Sequence, residues 1–172
     1  IKEEDMQILR DGKPDFIAFN YYNTATIEAF SESETVTKGD QQLTLGEPGF
    51  FKGVANEFLP FTDFGWQIDP LGFRTTMMEI YSRYHLPLLI TENGLGAYDK
   101  VEDDVSINDD YRIEYLRQHI SELKRAVEAG VEVMGYCPWS AIDLISTHQG
   151  FLKRYGFIYV DRDEFDLGTL DR

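Results

Sequence analysis

At 172 residues the chain has the length of one ordinary domain, and its 42% hydrophobic and 14% aromatic content lets it bury a core rather than stay disordered. A formal net charge of -15 sets it against nucleic acid and anionic membrane surfaces as partners. The single cysteine, Cys137, leaves no intrachain disulfide and suits a reducing, cytoplasmic compartment, while no apolar run reaches the length of about 18 residues that a membrane helix needs.

The chain opens on Ile1 and a charged stretch, unlike a signal peptide, and is expected to begin inside a larger protein. Residues 2 to 10 read as the end of a helix, broken by Asp11-Gly12-Lys13-Pro14. Asp15 to Tyr22 reads as a strand with little polar interruption, the pattern of a parallel strand covered on both faces. Thr24 to Ala29 fits a strand or a helix, Ser31 to Gln42 an exposed excursion, and Leu43 to Phe64 a loop without sustained period. Asp69 can cap a helix with Pro70 at its first position, running to about Tyr84 and burying Phe73, Met77, Ile80 and Tyr84. His85 and Pro87 end it, and a short apolar strand leads to Thr91-Glu92-Asn93-Gly94. A second helix begins near Asn108 or Asp109, with Ile113, Leu116, Ile120, Leu123 and Val127 as a continuous apolar stripe and Gly130 just past its end. Val131 to Cys137 is the third strand, followed by Pro138-Trp139-Ser140; an acidic, frayed tail runs from Arg162 to Arg172.

This β-α-β-α-β order predicts a parallel sheet in an α/β fold. A small open α/β domain and part of a barrel both fit three strands. The polar and aromatic strand ends, Asn20-Tyr21-Tyr22, Glu92-Asn93 and Trp139-Ser140, favour the barrel, whose C-terminal mouth gathers such groups.

Parallel strands would bring Tyr22, Glu92 and Trp139 to one mouth. Aromatic faces suit the apolar side of a pyranose, and Asn20 and Asn93 could read its hydroxyls. Tyr22 could donate a hydrogen bond to Glu92, aiming it in the deprotonated form that a nucleophile needs. Core packing accounts equally for Tyr22 and Trp139 if Glu92 is left aside. His85, His119 and His148 lack metal-ligand spacing, Cys137 has no evident His partner, and Gly94-Leu95-Gly96 is too short for a phosphate fingerprint. Ser146, Lys153 and Tyr155 could together hold a phosphate dianion. On residue chemistry alone, though, Lys153-Arg154 reads better as a solvated basic pair.

The three strand ends and the segment after them resemble the C-terminal part of the family 1 glycoside hydrolases, in their 6-phospho-β-glucosidase branch, over essentially the whole chain. Asp15 to Tyr22 resembles the sixth strand of that (β/α)8 barrel, Ile90 to Gly94 the seventh, and Gly135 to Ser140 the eighth. The resemblance implies Glu92 as nucleophile, Tyr22 as its hydrogen-bonding tyrosine, and Trp139 as the platform under the sugar. Where non-phosphorylated members carry a Glu-Trp pair, this chain has Ser146-Thr147, and Ser146, Lys153 and Tyr155 match the 6-phosphate pattern.

The family's acid/base glutamate comes from an Asn-Glu-Pro motif that this chain does not contain; Asn56-Glu57-Phe58 does not match it. The expectation is a single partial barrel domain over 1-172, with a long βα region at about 23-69, that hydrolyses 6-phospho-β-glucosides only as part of the intact protein. No metal or other cofactor is expected. A non-phosphorylated β-glucosidase, a silent carbohydrate-phosphate binding module and an unrelated α/β domain are the alternatives. Exposed sheet edges and apolar faces lead to an expectation that the piece alone self-associates or repacks the 23-69 segment over them.

Overall fold

A computed structural model describes residues 2-31, 46-147 and 149-161. Most of the expected excursion (32-42), His148 and the tail 162-172 lie outside the described residues. The elements run α1 (Glu3–Asp11), β1 (Ile17–Asn20), β2 (Thr26–Ala29), β3 (Gly46–Glu47), β4 (Phe51–Val54), α2 (Pro70–Tyr84), β5 (Leu88–Asn93), α3 (Asp110–Glu128) and β6 (Val133–Pro138).

The three apolar strands form one parallel sheet in the order β1-β5-β6. Helices α2 and α3 pack on each other and on one face of that sheet. Phe73 and Met77 of α2, Leu88 and Ile90 of β5, and Ala126 of α3 are each fully buried in this core. Burying a side chain of the size of Phe73 or Met77 stabilises by about 2–3 kcal/mol. Cover on both faces, expected for β1, is not found: Ala18 and Asn20 are exposed, as is Met134 of β6. The described helices supply a single layer, and a second one would have to come from elsewhere.

Helix α2 starts where the sequence indicates. The Asp69 carboxylate accepts the Gly72 N–H at 2.8 Å, and Pro70 occupies the first turn. Asp69 also accepts the Thr24 hydroxyl at 2.7 Å, and its carbonyl takes the Tyr21 hydroxyl at 2.9 Å, so the end of β1 is fastened to the start of α2. The helix ends at His85 in the left-handed region (φ 50°). Only Phe73 and Met77 of its expected stripe are buried; Ile80 is half-buried and Tyr84 exposed.

On α3 the expected stripe is displaced by one residue. Arg112, Tyr115, His119, Glu122 and Ala126 are buried, Leu116 and Leu123 flank them, and Ile113, Ile120 and Val127 are exposed. Polar side chains can take the inner line because they find partners there. Arg112 reaches Asp99 at 2.9 Å and Asp109 at 2.7 Å, Glu122 meets Arg74 at 3.1 Å, and His119 Nδ1 lies 2.8 Å from the Tyr115 carbonyl. Gly130, at φ 98°, follows the helix in the left-handed conformation.

The region between β1 and α2 is more ordered than its sequence suggests. Strands β2, β4 and β3 form a small antiparallel sheet, which settles Thr26–Ala29 as a strand. All of β4 is half-buried, so no alternation of apolar and polar residues announces it.

Candidate active site

The sheet register brings the strand ends together. Asn20 pairs with Glu92 and Asn93 with Pro138. Beyond the paired residues, the Tyr21 N–H donates to the Glu92 carbonyl at 2.9 Å and the Trp139 N–H to the Asn93 carbonyl at 2.8 Å. Tyr22, Glu92 and Trp139 therefore emerge at one end of the sheet. The Tyr22 hydroxyl donates to Glu92 Oε2 at 2.6 Å, with both residues half-buried. Burial, then this bond and the adjacent negative charge, push the Tyr22 pKa far above its usual value. Tyr22 thus remains a donor throughout the neutral range.

Asn93 occupies a different place from the one expected of a sugar-binding residue. Its side chain is fully buried, and its amide donates to the Tyr21 carbonyl at 2.8 Å and the Tyr115 hydroxyl at 3.1 Å. Its carbonyl oxygen accepts the Tyr136 hydroxyl at 2.8 Å. The Tyr115 hydroxyl in turn donates to the Tyr22 carbonyl at 3.2 Å. Asn93 is thus a brace that ties β5 to β1, α3 and β6 directly behind Glu92. Asn20 is exposed and accepts the Thr91 hydroxyl at 2.5 Å.

Beside these strand ends lies a cavity of about 270 Å³. Tyr22, Phe64, Trp66, Trp139 and Tyr155 give it aromatic walls, and Ser146, Thr147, Gln149 and Lys153 give it polar groups. Asn20, Glu92 and Asn93 are outside this lining, and Tyr22 connects Glu92 to it. Among the described residues no carboxylate lines the cavity. The Trp139 ring meets Tyr155 edge-on at 6.3 Å, and Trp66 meets Tyr22 edge-on at 5.3 Å. The Trp139-Ser140 peptide is cis. Gly94 is required by close approach: a Cβ there would stand 1.9 Å from the Trp139 carbonyl oxygen.

Ser146, Lys153 and Tyr155 do come together. The Tyr155 hydroxyl donates to Ser146 Oγ at 3.1 Å. Lys153 Nζ lies 3.9 Å above the Trp66 ring, 4.7 Å from Phe64 and 5.5 Å from Tyr155. The solvated Lys-Arg pair is not what the fold makes: Lys153 is 4% and Arg154 9% exposed. They also divide in role. Lys153 faces the cavity, while Arg154 pairs with Asp143 at 3.2 Å and donates to the Val160 carbonyl at 2.9 Å. The Asp143 carboxylate further accepts the N–H groups of Tyr155, Gly156 and Val160.

Phe64 and Trp66 escaped the sequence reading, because one ends the stretch without period and the other lies between it and the α2 cap. Their signal was the Phe64-Gly65-Trp66 triplet itself: Gly65 at φ 75° turns the chain, and a bridge between Phe61 and Gln67 closes the loop. Both rings are thereby delivered to the cavity.

The profile described as Glycosyl hydrolase family 1 matches residues 1–172. An aryl-phospho-beta-D-glucosidase of Bacillus subtilis is 48% identical, with 100% of this chain and 37% of that protein aligned. A phospho-cellobiase of Klebsiella oxytoca is 49% identical, over 92% of this chain and 32% of the relative. The chain thus spans about a third of the length of the curated relatives it matches. Among solved structures, a family 1 b-glucosidase from Thermotoga maritima superposes with a TM-score of 0.77 at 31% identity, covering 92% of this chain and 32% of that one. The α/β fold is accordingly related to the (β/α)8 barrel of such enzymes. From its full-length profile match and these identities, the chain belongs to glycosyl hydrolase family 1.

Proposed function

We propose that the intact protein is a retaining glycosidase acting on 6-phospho-β-glucosides, and that β1, β5 and β6 correspond to the sixth, seventh and eighth strands of its barrel. The observation that carries the reading is the bonded pair of Tyr22 and Glu92, at 2.6 Å, beside a cavity that also holds Lys153, Ser146 and Tyr155. The uncovered face of the sheet suits a wall whose inner side meets other strands of a closed barrel.

In this reading a Glu92 carboxylate oxygen attacks the anomeric carbon as the bond to the aglycone oxygen breaks. Tyr22 holds the other carboxylate oxygen and so fixes which one attacks. The leaving oxygen takes a proton from a second carboxyl group about 5–5.5 Å from the first. That group lies outside the described residues of this chain. Water then attacks the same carbon, giving its proton back to the second carboxylate and freeing Glu92. Trp139 and Tyr22 offer the sugar ring apolar faces. Lys153 meets the phosphate as a point charge, with the Ser146 and Tyr155 hydroxyls as neutral donors, and charge-assisted bonds are the stronger kind.

The names of the B. subtilis and K. oxytoca relatives point to phosphorylated substrates as well. The test compares kcat/KM of the intact enzyme on matched aryl β-glucosides with and without the 6-phosphate, before and after Lys153→Ala. The expected preference for the phosphorylated substrate is at least about 100-fold, near 2.7 kcal/mol, and Lys153→Ala removes most of it. Equal rates on both substrates in the parent would make the protein a non-phosphorylated β-glucosidase. Unaltered turnover in Glu92→Gln would remove Glu92 from the nucleophile position.

A further inference from the structure

We infer that Gly96, three residues past the strand that carries Glu92, is a specificity-determining position: it is the open side of a slot through which the Lys153 stem reaches the cavity. The inference rests on the phosphate reading above and extends it to a residue that touches no substrate. A Cβ built at Gly96 falls 2.3 Å from Lys153 Cε, 2.5 Å from Cγ and 2.9 Å from Cδ. Carbon atoms pack at about 3.5–4.0 Å, so even one methyl group must displace the stem by about 1 Å. The Trp66, Phe64 and Tyr155 rings stand around the ammonium at 3.9, 4.7 and 5.5 Å. A displaced stem carries the ammonium away from this ring setting and changes its aim into the cavity.

The backbone at residue 96 cannot retreat instead. Leu95 and Ala97 on either side are buried, at 4% and 2% exposure, against Tyr115. Ala97 exchanges two backbone hydrogen bonds with Arg154, each 2.9 Å, and the Tyr98 N–H donates to Asp63 at 3.1 Å. The pinned partner is the loop, and the movable one is the flexible end of a lysine. Gly96 itself lies outside the left-handed region, so alanine strains no backbone there. A substitution at this position therefore redirects a charge at little expense to the fold. Phe64 and Trp66 complete the slot as a cage for the cation.

The test is a double-mutant cycle in the intact enzyme. Gly96→Ala and Lys153→Ala are made singly and together, and kcat/KM is read on an aryl β-glucoside and its 6-phosphate. Gly96→Ala is expected to lower the preference for the phosphorylated substrate by about 10- to 100-fold, through KM for that substrate, since it removes a charge-assisted contact. In the Lys153→Ala background the same substitution is expected to change the preference no further. Phe64→Leu, which takes one ring from the cage, is the second variant; its expected loss is about three- to tenfold, again only while Lys153 is present. If Gly96→Ala lowers rates on both substrates alike, or leaves the preference intact while Lys153→Ala abolishes it, the slot is refuted and the phosphate reading stands. If Lys153→Ala itself leaves the preference unchanged, the phosphate reading fails, and the slot with it.

Discussion

Replacing Asn93 separates a brace from a sugar-binding residue. Asn93→Leu keeps the approximate shape of the side chain and deletes its two donated bonds, to Tyr21 and Tyr115, and the one it accepts from Tyr136. A hydrogen bond of this kind contributes about 1 kcal/mol net, and a buried partner left unsatisfied adds about 1–3 kcal/mol. The Tyr115 hydroxyl keeps its bond to the Tyr22 carbonyl, and the half-buried Tyr136 hydroxyl can turn to water. The buried Tyr21 carbonyl loses the Asn93 amide outright. The sum is a destabilisation of about 4–6 kcal/mol. Urea unfolding of the intact enzyme, followed by tyrosine and tryptophan fluorescence, measures it as a lower midpoint. Activity below the midpoint should fall in kcat for phosphorylated and plain substrates alike, because the residue next to Asn93 is the one that loses its aim. An unchanged midpoint together with a raised KM would mean that the amide contacts the sugar, and the brace would be wrong.

Tyr22→Phe removes the 2.6 Å bond to Glu92; a hydrogen bond to a charged group contributes about 1.5–3 kcal/mol, so kcat should fall about 10- to 100-fold, and an unchanged kcat would show the bond idle. Arg112→Met should destabilise by about 3–5 kcal/mol in chemical denaturation, because it leaves the buried Asp99 carboxylate unpaired. Burial holds the His119 imidazole down at about 4, below its unfolded value near 6.5. The unfolded chain therefore binds a proton through that window that the folded one does not. The stability His119 lends above about pH 6.5 is lost as pH falls toward 4, by about 2 kcal/mol between pH 7 and pH 5; His119→Phe should flatten that slope in denaturation titrations. The 172 residues expressed alone should show at most trace hydrolysis of aryl 6-phospho-β-glucosides, and should self-associate in sedimentation through the open edges of β1 and β6. Brisk turnover or a clean monomer would contradict these two expectations respectively.

The elements that the sequence announced are those whose local signals act alone. Asp69-Pro70 and the His85-Leu86-Pro87 stop bound α2 to the residue, and continuous apolar runs mark β1, β5 and β6. The inner face of α3 was misread for a definite reason. Periodicity counts apolar residues, whereas Arg112 and Glu122 are buried through charged partners elsewhere in the chain, and His119 through the Tyr115 carbonyl one turn back and the Tyr21 and Phe73 rings. Strands β3 and β4 were invisible for a related reason: a half-buried hairpin of Gly, Pro, Phe and Lys has no clean alternation. At the site, Glu92 and Tyr22 could be named because each ends a strand. The burial of Asn93 could not, since the strand gives its direction only once the register with β1 and β6 is fixed. Phe64 and Trp66 reach the cavity through a loop whose path depends on Gly65 and on contacts far along the chain.

The two backbone hydrogen bonds between Ala97 and Arg154 join the loop after β5 to the loop after β6. One loop leaves the strand of Glu92 and the other delivers Lys153, so the reacting carboxylate and the selecting cation ride on a single stitched unit. Such a unit is poorly suited to piecemeal engineering. A chimera that imports only residues 144-155 from a relative of different preference would set the new segment on a seam shaped for the old one. The smallest transplantable module therefore includes residues 94-98 as well. Random recombination libraries that place a crossover between these two segments should be depleted of active clones relative to those that inherit both from one parent.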